Sequence, residues 1–284
     1  MHRLAGRAGR ERAGRFVAEG PQAVREAIAA HAALPGPVVY ELYVTDEAAA
    51  RYAGELAAAR AAGLSPVLVT GAVLAAMTET IAPQGLLAVC ATVDRMLDEV
   101  MTGLAPTLVA VLAHVRDPGN AGTVLRAADA AGADAVVLTE ASVDVHNPKC
   151  VRSTAGSIFH LPIVQDVGLD QTVAAVRAAG LVVLAADGDG DVDLDDLLDD
   201  LDRPNDRLND RPLEPALLAR PTAWLFGNEA WGLPDSYRAL ADAVVRVPIH
   251  GRAESLNLAT AATVCLYASA RAQRAPGRPP GGRQ

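Results

Sequence analysis

Lysine is almost missing from this chain: Lys149 is the one lysine among 25 basic residues in a length of 284. It does not lie in a phosphate loop, and no GxxxxGK[ST] segment occurs anywhere, so an ATP-type phosphate cradle is excluded. GxGxxG is also absent after the first strand of the C-terminal half, which removes the nicotinamide reading. Cysteines are few. Cys90, Cys150 and Cys265 lie far apart, without CxxC or metal-ligand spacing, each in or beside an apolar stretch. Buried, reduced thiols in a cytoplasmic protein are the expectation. Although 51% of residues are hydrophobic, no apolar run approaches the roughly 18 residues of a membrane span. The N-terminus, "MHRLAGRAGRERAGRF", is Arg-rich but lacks the apolar middle of a signal peptide. Glu11 and the direct run into "FVAEGPQAV" argue against an organellar targeting peptide.

An overall basic charge is lacking too, since the formal net charge is −9. At first sight this excludes nucleic acid as a partner. The distribution reverses that. Residues 187–214 hold twelve of the 34 acids and three of the 25 bases, leaving 22 of each elsewhere. Arg3, Arg7, Arg10, Arg12, Arg15 and Arg25 crowd the first 25 positions, so a basic arm and an acidic loop describe the chain better than its pI. The acidic segment does not fit an EF-hand, which needs Gly at its sixth position and Glu at its twelfth. From Asp187 those positions are Val192 and Leu198; from Asp189 they are Leu194 and Asp200. Its imperfect echo "RPNDRLNDRP" predicts a solvated surface loop. His114, His146, His160 and His250 lie outside ligand spacing, and no metal site is expected.

Two α/β domains are expected. After a basic arm over 1–15, residues 16–93 alternate helix-like "PQAVREAIAAHAAL" (21–34) and "DEAAARYAGELAAARAAG" (46–63) with strand-like "VVYELYV", "PVLVT" and "GLLAVCATV". Residues 94–106 read as the join. From Thr107 to residue 272 the apolar strands "TLVAVLAHV", "DAVVLT", "LPIV", "LVVLAAD", "TAWLFG" and "AVVRVPI" alternate with helices at 120–132, 148–159, 169–179, 234–241 and 255–272. This pattern predicts a parallel sheet covered on both faces. The Pro/Gly/Arg-rich 273–284 reads as a disordered tail.

Three strands end in unusually polar loops, where ligands of open α/β sheets gather. In "VRDPGNAGTVLRAADAAGAD" (115–134), Asn120 suits a helix cap. Arg126 is either a solvated head on a buried stem or a guanidinium aimed at phosphate. In "LFGNEAWGLP" (225–234), Gly227 lets backbone approach a ligand closely, and Glu229 follows a fully apolar strand at once. In "PIHGRAESLNLATAATVCLY" (248–267), after a strand ending at Val247, Ser255 suits an N-cap. Ser255-Leu256-Asn257 is equally a constellation of site residues.

Read in this order as "DPGNAGTVLRAADAAGA", "GNEAWGL" and "VPIHGRAESLNLATA", the loops resemble the motifs of the SpoU (TrmH-type) RNA ribose 2′-O-methyltransferases of the SPOUT superfamily. Those family patterns are approximately DPxNxGxxxRxAxxxGA, GxExxGL and IPxxGxxxSLNxxxA, and the likeness covers the whole second domain. The stretch "GRFVAEGPQAVREAI" is similar to the RNA-recruiting, ribosomal-protein-like domain of rRNA-modifying members, including thiostrepton-resistance-type enzymes. The resemblance implies a deep trefoil knot, S-adenosylmethionine as cofactor, a homodimer and 23S rRNA as substrate. A tRNA substrate, or a non-catalytic RNA-binding assembly factor on the same fold, are the alternatives. By position it implies cofactor contacts at Gly227, Val247 (Ile in the usual pattern) and Leu256. The catalytic set it implies is Asn120, Arg126, Glu229, Ser255 and Asn257. "PKCVRSTAGSIFHLP" (148–162) also matches a family stretch, with Arg152 as a phosphate or substrate ligand, and the arm offers Arg15, with Phe16, to an RNA loop.

The family usually gives the removal of the hydroxyl proton to the Arg126 position. A guanidinium stays protonated at neutral pH and is a poor base. The reading preferred here is that Arg126 grips the adjacent phosphate, which itself accepts or orients that proton. Asn120, Ser255 and Asn257 then fix the ribose and the site backbone, and Glu229 orients Arg126 or an amide.

Overall fold

The structure, a computed structural model, describes residues 2–202 and 216–274. Of the expected tail 273–284, Gln273 instead ends a helix; residues from 275 onward and positions 203–215, in and beside the acidic stretch, lie outside the described residues. The chain divides into two compact units. The first combines Met1–Asp94 with Pro118–Arg126 and Val143–Leu161; the second combines Arg95–Asp117, Ala127–Ser142 and Pro162–Gln284.

The first unit holds strands β1 (Arg15–Glu19), β2 (Val39–Val44), β3 (Val67–Leu68) and β4 (Leu86–Ala91) in the order β1-β4-β2-β3. β4 runs antiparallel to both β1 and β2, and β2 pairs parallel with β3. The helix Pro21–Ala33 starts with Pro at its first position, where the missing N–H costs nothing, and buries Ala23, Val24, Ala27 and Ile28. The expected helix over 46–63 is two helices, Asp46–Arg51 and Ala53–Ala61, broken at Tyr52.

The basic arm is corrected. It folds as helices His2–Ala5 and Arg7–Ala13, and Arg10 is buried. Its Nε and Nη2 donate to Asp144 Oδ2 at 2.8 and 2.6 Å, and its Nη1 donates to the carbonyls of Leu4 and Ala5. A desolvated guanidinium needs such saturation, because breaking a buried pair costs about 3–5 kcal/mol. Asp144 in turn accepts from the backbone N–H of His146 at 2.8 Å. Phe16 is not an RNA contact either. It is fully buried, with its ring 4.8 Å from His146 and 5.9 Å from Phe159.

The second unit carries β5 (Leu108–Leu112), β6 (Ala135–Thr139), β7 (Ile163–Val167), β8 (Val182–Ala186), β9 (Val192–Asp193), β10 (Thr222–Phe226) and β11 (Ala243–Arg246). They form one parallel sheet in the order β7-β6-β5-β10-β8-β11-β9. Every residue of β5, β6 and β10 is buried, as a sheet covered on both faces demands. Each fully buried Leu, Val or Phe there contributes about 1.5–3 kcal/mol of transfer free energy. Trp224 on β10 is completely buried, and its Nε1 donates to Ser269 Oγ at 2.9 Å, tying the strand to the helix Leu258–Gln273.

Two further expectations change here. The join at 94–106 contains a packed helix, Leu97–Gly103, because Leu97, Val100 and Met101 share one face and enter this unit's core. The acidic stretch is not wholly a solvated loop. Val192–Asp193 joins the sheet, and Leu194–Asp202 is an amphipathic helix with Leu194 and Leu197 buried. The spacing of its leucines outweighs the acidity of the residues between them.

Candidate functional site

β10 delivers the chain to Gly227. A Cβ there would lie 2.4 Å from the Gly232 carbonyl oxygen, so glycine is required by the close return of the loop. That return is a two-bond bridge: Asn228 N–H to Gly232 C=O at 3.0 Å and Gly232 N–H to Asn228 C=O at 2.9 Å. Asn228 is itself buried. Its Nδ2 donates to the His114 carbonyl at 2.7 Å, and its Oδ1 accepts from Ala230 N–H at 2.8 Å. His114 adopts a left-handed φ of 55° just past β5, a conformation that costs a non-glycine residue energy and that its neighbours must enforce. Asn228 does so on one side, and Thr139 Oγ1, accepting from His114 N–H at 3.2 Å, on the other.

Glu229 turns back toward the loop after β5. Its two oxygens accept from the backbone N–H groups of Arg116 at 3.3 Å and Asp117 at 3.1 Å. Of the two expected partners of Glu229, an amide is thus observed. The GNEAWGL loop and the start of the DPGN loop are joined through this carboxylate.

The third loop follows β11, which ends at Arg246, one residue earlier than expected. It stays non-helical through Leu256, and the cap of the next helix is Asn257, not Ser255. Asn257 Oδ1 accepts from Ala259 N–H at 2.9 Å and Thr260 N–H at 3.4 Å. Ser255 and Leu256 are exposed, so the helix does not account for the serine.

The loops after β10 and β11, with the end of β8, line a cavity of about 1020 Å³. Gly227, Glu229, Val247, Ser255, Leu256 and Asn257, six of the eight expected catalytic and cofactor residues, line it together. The rest of its wall mixes apolar residues such as Phe226, Leu233 and Ile249 with polar ones supplied in part by the acidic stretch. Asp187 accepts from Leu233 N–H at 3.3 Å and from Asp189 N–H at 3.1 Å, and its carboxylate lies 3.4 Å from Arg238. Asp193 accepts from Arg246 Nε at 3.1 Å.

Asn120 and Arg126 do not line this cavity; both belong to the helix Pro118–Ala131. Asn120 lies within that helix and not at its cap, because the helix already starts at Pro118. Gly122 allows tight packing, since a Cβ there would meet Cys150 O at 2.4 Å. Arg126 is exposed. Arg152, on the helix Pro148–Thr154, has its Nη1 3.5 Å from the buried Glu19 carboxylate and without a hydrogen bond. Arg15 opens β1, its guanidinium 3.9 Å above the exposed ring of Tyr40 and 3.9 Å from Glu41.

Asn228 and Asp187 brace the site but are not among the residues singled out by sequence. Asn228 is visible there only as a neighbour of Glu229, and Asp187 is hidden in the acidic run.

The SpoU rRNA Methylase family matches residues 107–267, and the MRM3-like substrate binding domain matches residues 1–88. The 23S rRNA (uridine(2479)-2′-O)-methyltransferase of Streptomyces viridochromogenes is 39% identical over 57% of this chain, and the match spans 51% of that relative's length. The 23S rRNA (guanosine(2553)-2′-O)-methyltransferase RlmP of Bacillus subtilis is 32% identical over 89% of this chain and 87% of its own. The crystal structure of the SpoU methyltransferase AviRb from Streptomyces viridochromogenes, in complex with the cofactor AdoMet, superposes with a TM-score of 0.74 at 30% identity, covering 95% of each chain. With one family covering more than half of the sequence and RlmP aligned along nearly all of it, the chain belongs to the SpoU rRNA methylase family.

Proposed function

We propose that the chain is an S-adenosylmethionine-dependent methyltransferase acting on a ribose 2′-OH of 23S rRNA. The observation that carries this reading is the single cavity in which the GNEAWGL loop and the SLN loop meet. The cavity fits the cofactor on the chain's own features. Gly227 keeps the floor free of a side chain, Val247 and Leu256 supply apolar surface, and backbone groups of both loops supply polarity. When bound, the cofactor supplies an electrophilic methyl group. The chain's part is to hold and orient the ribose and to deal with its proton. Arg126 holds the phosphate next to the target, which accepts or orients the hydroxyl proton. Asn120, Ser255 and Asn257 fix the ribose and the local backbone. Glu229 fixes the Arg116–Asp117 backbone that leads into the Arg126 helix.

The substrate-recruiting role falls to residues 16–93, with Arg15 stacked on Tyr40 as one point of RNA contact. Arg152 is a second, its guanidinium held ready by Glu19. The working form is a cytoplasmic homodimer with the knotted topology that the motif resemblance implies. Among the described residues no helix is long and apolar enough to cross a membrane.

Calorimetric titration with S-adenosylmethionine separates this reading from a purely RNA-binding factor. Micromolar affinity with one site per chain is expected, and no heat of binding to the folded protein would refute the assignment.

A further inference from the structure

Trp231 stands apart from the rest of the site. The chain has two tryptophans; Trp224 is buried, whereas Trp231 is 50% exposed at the wall of the cavity. Exposing half an indole forgoes transfer free energy that a turn could keep with a smaller residue. The backbone beneath it is closed by the two-bond Asn228–Gly232 bridge. The Arg116 guanidinium lies 5.3 Å from the indole centroid, within range of a cation–π contact. Arg116 is exposed as well, and its backbone N–H is held by Glu229. An anchored aromatic face beside an anchored cation matches what unpaired nucleotides bind: the base stacks, and the phosphate meets the guanidinium.

We propose that Trp231 and Arg116 form a stacking platform for an unpaired nucleobase of the RNA substrate. This rests on the reading of the substrate as RNA and adds how the site selects it. Stacking is sequence-tolerant, because every base has a π-face, but it requires a base free of its helix. The platform therefore selects single-stranded over duplex target regions. The family pattern GxExxGL leaves the Trp231 position open, so the motif alone does not account for the indole.

The test reads Trp231 emission and its quenching by acrylamide, with Trp224 shielded in the core. A single-stranded oligoribonucleotide should dim and protect the emission, a duplex of the same sequence should not, and W231F should lose the response. W231A should raise KM for a 23S rRNA fragment about tenfold, within the range of one lost base stack, a larger factor than any change in kcat or cofactor affinity. W231F should restore most of the KM. An equal response to duplex, a response to S-adenosylmethionine alone, or a W231A defect in cofactor affinity and not in RNA KM would overturn the platform. Cofactor titration of the same wild-type preparation keeps the two ideas apart. Absence of cofactor binding sinks the functional reading, whereas binding with a silent Trp231 sinks only the platform.

Discussion

Arg126 sits exposed on its helix, and a guanidinium holds its proton throughout the working pH range. Replacing it by Lys keeps the charge but removes the planar fork that grips phosphate bidentately. R126K is expected to lose at least tenfold in kcat/KM at every pH from 6 to 10; recovery toward wild-type rates at high pH would make the side chain a base. Glu229 poses a different test, since both of its oxygens are engaged by backbone N–H groups. A glutamine offers one acceptor and sets its NH₂ against the second donor. E229Q should cost about 1 kcal/mol of stability, while methylation falls further than that loss explains. Loss of stability without a disproportionate loss of rate would reduce Glu229 to a loop brace.

At the scale of elements, Asn257 and not Ser255 starts the last helix. N257A should destabilise the fold by about 1 kcal/mol through the lost cap, and N257D, which keeps the acceptor, should not. If Asn257 also contacts substrate through its amide, N257D should still lose activity, and a fully active N257D would leave it a cap alone. The sheet is the most legible part of the molecule, because strands such as β5 and β8 are apolar at every position and have no amphipathic alternative. The three loops are legible as motifs. What the sequence hides is competition between signals. Leu194 and Leu197 make a packed helix in the most acidic stretch, and Leu97, Val100 and Met101 do the same in a presumed linker. Arg10 looks like one more basic residue of an arm until Asp144, 134 positions away, removes it from water. No local pattern foretells a partner at that separation. Asp187 is lost among its acidic neighbours for a similar reason.

For the whole molecule, the Arg10–Asp144 pair predicts an acid limb to stability. Burial raises the Asp144 carboxyl, but hydrogen bonds from His146 and Arg10 outweigh it and bring it down to about 2 from an ordinary 3.8. A carboxyl depressed in the folded state contributes fully above the unfolded value and fades as pH falls from about 4 toward 2. The contribution at neutral pH is about 2 kcal/mol. Urea unfolding between pH 2 and 7 should show that slope in the wild type. D144N should be less stable at pH 7 and flatter below pH 4, and an unchanged slope in D144N would place the acid sensitivity elsewhere. The two thiols whose titration is perturbed, Cys90 and Cys265, are buried and pushed upward by desolvation, Cys265 to about 12. They stay protonated and take no part in the chemistry.

The central claim is that this cavity transfers a methyl group to an RNA sugar. The purified chain, incubated with unmodified 23S rRNA and methyl-labelled S-adenosylmethionine, should place label on one ribose, recovered as an alkali-resistant dinucleotide. Label on a base, or none with a protein that binds the cofactor, would contradict it.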